Sequence, residues 1–557
     1  MITKENLIDI ILKTNIGIEK DDIIIEIPKD RALGDFAMPC FGLAKKMHQN
    51  PSIIASNILE KIDKSNFDNI EIKNGYINFF LNKRKTVENI INSVLNEKDK
   101  YASSDIGSGK NIVIEYSSPN IAKPFGVGHL RSTVIGNAIK NIYKKLGYNV
   151  ISINYLGDCG TQFGKLIYAY ETWGNPEEVK KNPIRELNKL YVKFHEEAEK
   201  DPSLNDEGRR IFKELEDGNH KYKEIWEWFK GESIKEFRKT YDLLNIKDFD
   251  VWSGESFYID SSKDIINELH NKKLLEISEG ATIVNLGQNM TPALVKRTDG
   301  ATLYITRDLA AAFDRKKTYD FEESLYVVGN EQTLHFNQIK AVINKMGYDF
   351  SNQIHHIPFG LVLQDGKKMS TRKGKTVILH DVLVEAVNLA STYVKEHVSE
   401  NIDEVSKMVG VGAVIFNDLK NYRTNDIDFN LQDILKFEGE TGPYLQYTYA
   451  RIKSLLSHKI NTEINYSEIV IDEYIWNIAF KLSDFKNIII KAKEGYDPSI
   501  IAKYLLELAG LFNKFYANVK IIDNNEINSA FRLNVAETVS IVIKEGLRIL
   551  GIETPNK

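Results

Sequence analysis

The stretch from Asn111 to Asp158 constrains the fold more than any other part of the chain. NIVIEYS is a short β-branched run with the look of a buried strand; a Pro-Asn turn, a Gly-containing loop and a helix over about 130–146 follow, and NVISINYLGD is a second strand. Strand, helix and strand within about 45 residues make the βαβ unit of a doubly wound parallel sheet. Such sheets hold ligands beyond the carboxyl ends of their strands, which points first to the loop after NIVIEYS.

The predicted fold class is therefore α/β: a Rossmann-like, doubly wound parallel-sheet catalytic domain, here over residues 110–376, with a small α/β N-terminal domain at 1–100 and an all-α C-terminal bundle. In the first of these, an amphipathic helix precedes the apolar run IIIEIP, a Gly-Asp turn, a helix over 52–63 and a strand over 74–81; the Ser- and Gly-rich segment 97–110 resembles a linker. Charged helical sequence over about 175–240 is an insertion into the sheet domain, which resumes with ATLYITRDLAAAF, SLYVVG and HHIPFGLVL. Helical periodicity then predicts a connective region at 377–435 and a bundle at 436–557.

Two cysteines, Cys40 and Cys159, stand far apart and outside any CxxC spacing, so neither a disulfide framework nor a zinc site is indicated, and a reducing cytoplasm is expected. The opening MITKENLIDIILKTN lacks the apolar stretch of a signal peptide, and no run approaches the roughly 20 apolar residues that span a bilayer, which predicts a soluble chain with no membrane partner. A net charge of −5 argues mildly against a nucleic-acid partner, yet KKMSTRKGK at 367–375 is a local basic run.

Chemistry concentrates in EYSSPNIAKPFGVGHLRST, residues 115–133, between the first strand and its helix. Gly126 and Gly128 allow close backbone approach, His129 sits at the helix start, and the helix N-terminus offers N–H groups to phosphate. Taken alone, this is equally a tight strand-to-helix turn. The second motif, DGKKMSTRKGK, places several cations in a loop after the last α/β strand, where mobile lysines can stabilise an α-phosphate under attack and the departing pyrophosphate. Two phosphate-directed motifs at the two ends of one α/β core are hard to explain as solvated surface.

GVGH and KMSTR resemble the HIGH and KMSKS signatures of class I aminoacyl-tRNA synthetases, and EYSSPNIAKPFxxGHLRST is similar to the arginyl-tRNA synthetases in particular. GDFA, LGDCGTQFGKLI, LYITRDLAAA, VGNEQTLHF and TGPYLQYTYAR extend the resemblance over nearly the whole chain. It implies ligation of arginine to tRNA(Arg) through an arginyl-adenylate, with a first step that depends on bound tRNA. ATP is the substrate that drives it, with Mg²⁺ but no dedicated metal site and no zinc; a monomer is expected. Glu115, Tyr304 and Asp308 match positions that hold the arginine side chain, and Asn120 and Gln332 those that hold its amino and carboxylate ends. A guanidinium offers five donors in a planar fork, which carboxylates and neutral acceptors satisfy. Asp308 could instead cap a helix, and Tyr304 could be a core aromatic. For ATP and catalysis the resemblance carries over Lys123, Gly126, Gly128, His129, Lys368 and Ser370; for tRNA, Asn74, Tyr76 and Asn78 at the N-terminal domain's tRNA-corner surface and Tyr444, Tyr447 and Arg451 on an anticodon-facing helix. The last three are spaced so that they share one helix face, an arrangement that core aromatics also adopt.

The chain departs from the pattern at three positions. Gly126 stands where the first His of HIGH is usual, Thr371 replaces the second Lys of KMSKS, and Cys159 sits where a Trp is common. Thr371 leaves a cation to be replaced, by Lys123, Arg372 or Lys373. The rival readings are another class I synthetase, such as one for lysine, and a catalytically dead tRNA-binding paralogue. A flat guanidinium suits two acids and a tyrosine better than an ammonium does, and the retained His129 and loop lysines speak against a dead enzyme.

Overall fold

The computed structural model describes residues 4–296, 304–364, 366–369, 371–372, 375–397, 399–458, 460 and 462–555; Ser370 and Lys373 lie outside the described residues, as do the side chains of Thr371 and Arg372. Five parallel strands build the central sheet: β1 (Asn111–Glu115), β2 (Asn149–Leu156), β3 (Val251–Gly254), β4 (Glu323–Gly329) and β5 (Ile354–Phe359). Their spatial order is β5-β4-β1-β2-β3. The chain thus leaves β1 toward one edge and returns to β4 on its other side, opening a crevice between the carboxyl ends of β1 and β4.

Both faces of the sheet are covered, which explains the nearly unbroken apolar run in β1. Ile112 and Ile114 join the core that contains Val134 and Ile139 of helix α1 (Leu130–Lys145), whereas Val113 joins Leu309 of α2 (Tyr304–Tyr319) and Ile339 of α3 (Thr333–Lys345) on the opposite face. Gly147, at φ 83°, ends α1: its N–H and that of Tyr148 turn back to Lys144 and Tyr143, an arrangement that satisfies the last carbonyls. The charged sequence before β3 forms helices Pro176–Lys181, Pro183–Lys200, Leu204–Glu216 and His220–Leu243, as its periodicity predicts.

Three expectations need correction. The N-terminal segment 74–81 is not one strand. Asn74 and Gly75, at φ 52° and 77°, form the two-residue turn of a hairpin between Phe67–Lys73 and Tyr76–Leu81, the conformation that Asn-Gly favours. The supposed linker is packed rather than loose, because Tyr101 is buried and its hydroxyl donates to the Leu482 carbonyl at 3.0 Å. The connective region includes α4 (Ile402–Leu419) but is not wholly helical, since Ile427–Asp428 adds a short parallel strand beside Val362–Leu363.

The C-terminal part is helical, with α5 (Gly442–Leu456), α6 (Glu473–Ser483) and three further helices ending at Ile549. Thr441 caps α5, accepting from the Tyr444 N–H, and Pro443 occupies its first turn. The N-terminal domain packs on α6: the Trp476 indole donates to Asp35 at 3.2 Å, the Arg31 guanidinium lies 4.1 Å from the centre of the Phe480 ring, and Phe36 meets Phe480 with ring centroids 5.8 Å apart.

Candidate active site

The loop that leaves β1 is held in an unusual backbone path. Ser117, Ser118 and Ala122 all take left-handed φ values, 71°, 48° and 58°, which side chains other than Gly rarely adopt without compensation. Compensation comes from a hydroxyl network: the Ser117 N–H donates to Ser132 Oγ at 2.9 Å, Ser132 donates to the Val327 carbonyl at 2.7 Å, and Thr133 donates to Ser117 Oγ at 2.9 Å. The Ala122 N–H is fixed to Ser233 Oγ at 2.8 Å. A Cβ on Gly136 would overlap the Tyr116 ring, so that glycine lets α1 pack directly on the loop.

The two sequence motifs meet through backbone hydrogen bonds. Gly126 bridges antiparallel to Ile378; the Val127 N–H donates to the Val377 carbonyl and the Leu379 N–H to the Phe125 carbonyl, both at 2.9 Å. Lys368 belongs to a small hairpin, opposite Leu363, which hangs from the chain just after β5. As a result Gly128, His129 and Lys368 line one cavity of about 250 Å³, together with Gly329 and Glu331 at the end of β4. No side chain caps the N-terminus of α1, whose Leu130 N–H turns back to the Val127 carbonyl. Burial pushes the His129 imidazole down to about 4, against a hydrogen bond from its ring N–H to the Ser117 carbonyl that acts the other way, so the ring is neutral at pH 7.

Lys123 and Gly126 do not line this cavity. Gly126 is buried in the backbone bridge; the Lys123 ammonium rests 3.3 Å from Gln162 Oε1 and 5.5 Å from the centre of the Tyr191 ring, and partial burial lowers its pKa.

The residues expected to hold an amino acid lie around the same crevice. Glu115, at the end of β1, is buried and already paired with Arg315 at 2.7 Å; burial raises its pKa while Arg315 lowers it. The Arg315 guanidinium sits 5.3 Å from the centres of both the Tyr155 and Tyr326 rings. Asp308 Oδ2 accepts a hydrogen bond from His335 Nε2 at 2.6 Å. It lies inside α2, not before it, which removes the helix-cap alternative. Tyr304, the first described residue of α2, is 57% exposed and so is not a core aromatic. Asn120 is exposed and bridges Gly157, where a Cβ would overlap its amide. Gln332 is exposed at the start of α3.

Several neighbours were not found from the sequence. Arg315 follows Tyr304 and Asp308 on one face of α2, at offsets of eleven and seven residues, and that periodicity was the available signal. His335, Glu255 and Arg307 gave none. Glu255, 3.0 Å from Arg307, is pushed up to about 7 by burial, with Asp308 adding to the rise and Arg307 opposing it. Among the described residues no group of three or more His, Cys, Asp or Glu side chains converges to hold a metal ion.

The residues expected at a tRNA surface divide by exposure. Asn74 is exposed in its turn, Tyr76 packs edge-on against the exposed Phe41 ring at 5.4 Å, but Asn78 is buried at 5% exposure. On α5, Tyr447 is 44% exposed and its hydroxyl accepts from Arg451 at 3.1 Å. The Arg451 guanidinium stands 4.8 Å from the Tyr447 ring centre and 5.2 Å from that of Tyr516, at the wall of a cavity of about 610 Å³. Tyr444 is turned inward, its hydroxyl accepting from Asn513 at 2.8 Å.

Comparisons with known proteins cover the chain in three pieces. Family models described as "Arginyl tRNA synthetase N terminal domain", "tRNA synthetases class I (R), catalytic domain" and "DALR anticodon binding domain" match residues 2–81, 90–431 and 445–557. An arginine–tRNA ligase of Lactobacillus johnsonii is 50% identical over 100% of this chain and 99% of its own length; one of Enterococcus faecalis is 49% identical over 98% of each. Among solved structures, the arginyl-tRNA synthetase of Thermus thermophilus superposes with a TM-score of 0.84 at 23% identity over 100% of both chains, and that of Plasmodium falciparum with 0.78 at 25% identity over 99% and 98%.

Proposed function

The chain belongs to the arginyl-tRNA synthetase family, and from that premise we propose how its residues divide the work of the reaction. It catalyses ATP-dependent ligation of arginine to tRNA. In the first step an arginine carboxylate oxygen attacks the α-phosphate of ATP and pyrophosphate leaves; in the second a terminal ribose hydroxyl of tRNA(Arg) attacks the resulting mixed anhydride and AMP leaves.

The observation that carries the assignment of residues is the backbone bridge between 126–127 and 377–378, which sets His129 and Lys368 against one cavity. In this reading the neutral His129 turns its single N–H from the Ser117 carbonyl to a phosphate oxygen, with Gly128 giving the phosphates room and Lys368, Ser370 and Lys123 following the pyrophosphate as its charge develops. Glu115, Tyr304 and Asp308 take the guanidinium, and Asn120 and Gln332 the amino and carboxylate ends. Mg²⁺ enters as part of the ATP substrate, with no protein cage among the described residues and no step assigned to it. The N-terminal domain, about 1–100, reads the tRNA corner through Asn74, Tyr76 and Asn78; the buried Asn78 acts by fixing the strand that presents Tyr76. The bundle at 436–557 reads the anticodon. No helix among the described residues is long and apolar enough to cross a membrane, and the chain works as a cytoplasmic monomer in this reading.

Pyrophosphate exchange with each amino acid, with and without tRNA, tests the whole assignment. Exchange with arginine only, and only when tRNA is present, is the expected pattern; exchange supported by lysine, or none with arginine plus tRNA, would overturn it.

Two variants test particular roles. Thr371 supplies no cation, and the parked Lys123 has a flexible four-carbon stem that can swing from Gln162 to the phosphates. Lys123→Ala should lower kcat for arginine activation by about 10²- to 10³-fold, with arginine and tRNA affinity little changed, and Thr371→Lys should restore part of the loss. A near-normal exchange rate would return the role to the loop cations. Tyr447→Ala should weaken tRNA binding by about 1–3 kcal/mol through lost base stacking, measured by filter binding. Normal tRNA affinity with a lowered melting temperature would make Tyr447 a packing residue.

A further inference from the structure

Behind α1, away from the crevice, lies a cavity of about 620 Å³ that shares no lining residue with the one beside His129. We propose that this cavity, walled by Lys140, Lys144, Lys247, Lys544 and Arg548, is a binding site for a small phosphate-bearing anion.

The distribution of charge carries the proposal. Lys140 is only 5% exposed, and its ammonium donates to the Tyr116 hydroxyl at 3.0 Å; among the described residues no carboxylate lies within ion-pair distance of it. A buried ammonium with one neutral acceptor is costly to maintain. Burial, the largest cause, and then Lys144 push it down to about 8, with Asp250 acting in the opposite direction and Lys247 in the same one. Lys144, Lys247 and Lys544 likewise have no ion-pair partner among the described residues, whereas Arg548 is held by Glu545.

Three carboxylates also face the space, and two accept hydrogen bonds. Asp248 accepts from Arg238 and from the Trp252 indole, each at 2.7 Å, and Asp250 accepts from the Ser152 N–H at 2.8 Å and hydroxyl at 2.5 Å. The Ser152 donors are neutral, so Asp250 and Glu553 both keep their charge with no ion-pair partner among the described residues, and four ammonium groups outside ion-pair distance of any carboxylate face these two carboxylates. The volume suits a phosphate, sugar phosphate or mononucleotide, and the depth of Lys140 keeps it from a polymer backbone.

An occupant would touch four separate parts of the chain: the C-terminal half of α1, the turn at 245–250, the last helix (Glu526–Ile549) through Lys544 and Arg548, and the tail at 551–554. Lys140 is eleven residues along α1 from His129, about 16 Å at 1.5 Å per residue, so a ligand here braces the same helix from its far end.

Titration calorimetry on the full chain with inorganic phosphate and with glucose 6-phosphate tests the site. Saturable binding is expected, weakened roughly tenfold or more in the Lys247→Ala/Lys544→Ala variant, whose substitutions are exposed and outside the catalytic machinery. An anion favours the charged form of Lys140, so binding at pH 8 should take up protons, seen as a dependence of the heat on buffer ionisation that Lys140→Met abolishes. Absence of saturable binding, equal affinity in the double variant, or no proton uptake would each overturn the proposal. So would binding of a short RNA oligomer that phosphate fails to displace, since that would mark a tRNA backbone contact.

Discussion

Replacing Arg315 with methionine is expected to destabilise the catalytic domain by about 3–5 kcal/mol and to abolish arginine activation, because it strands Glu115 in the crevice without its counter-charge. Burial already raises the Glu115 pKa and Arg315 holds it down; without Arg315 the carboxyl rises further. A carboxyl whose folded pKa lies above its unfolded value contributes stability at low pH and loses it as pH rises through the folded value. The deficit of Arg315→Met should therefore be smaller at pH 5 than at pH 8. Adding Glu115→Gln removes the stranded charge, so the double variant should regain much of the stability while remaining unable to support exchange with arginine. Thermal unfolding across pH, followed by exchange assays, decides it. A single variant as stable as the parent, or a double variant no better than the single, would show that the pair is not the counter-charge described.

The second large effect is expected at Arg131. Its guanidinium is paired with Asp418 of α4 at 3.2 Å, both side chains 1% exposed, and it donates to the Asn425 carbonyl at 2.6 Å. Arg131 lines the His129 cavity, so this pair anchors the first turn of α1 to the connective region. Arg131→Met should cost about 3–5 kcal/mol by leaving a buried carboxylate alone, and Arg131→Met/Asp418→Leu should recover most of it. Calorimetric melting of the singles and the double gives the coupling directly. The double variant should still show a raised KM for ATP, since its helix has lost the tether; a normal KM would confine the pair to stability.

Local pattern made part of this molecule legible. β1 and α1 were readable because an apolar run and a helical period sit side by side, and the motif glycines and His129 fall between them. The Asn74–Gly75 turn was also written locally, yet the apolar run after it drew the strand two residues too far. What the sequence hid were partners. Glu115 and Asp308 were found as acids, but Arg315 stands 200 residues from Glu115 and His335 lies on another helix, so no local spacing announces either pairing. The same holds for Lys123, whose loop position suggested a phosphate contact while its resting place depends on Gln162 and the inserted helix that carries Tyr191.

The packing of the N-terminal domain on α6 bears on synthesis. Asp35 and Trp476 are 441 residues apart in the chain. At about 5–20 residues per second, a ribosome takes roughly 20–90 s to make the second after the first. For that interval Phe36 and the Arg31 side chain have no Phe480 to pack on, and the first module waits with that surface open to water. The last domain to emerge is thus the one that completes the first, and a nascent chain halted before α6 presents an apolar patch that the finished protein keeps covered.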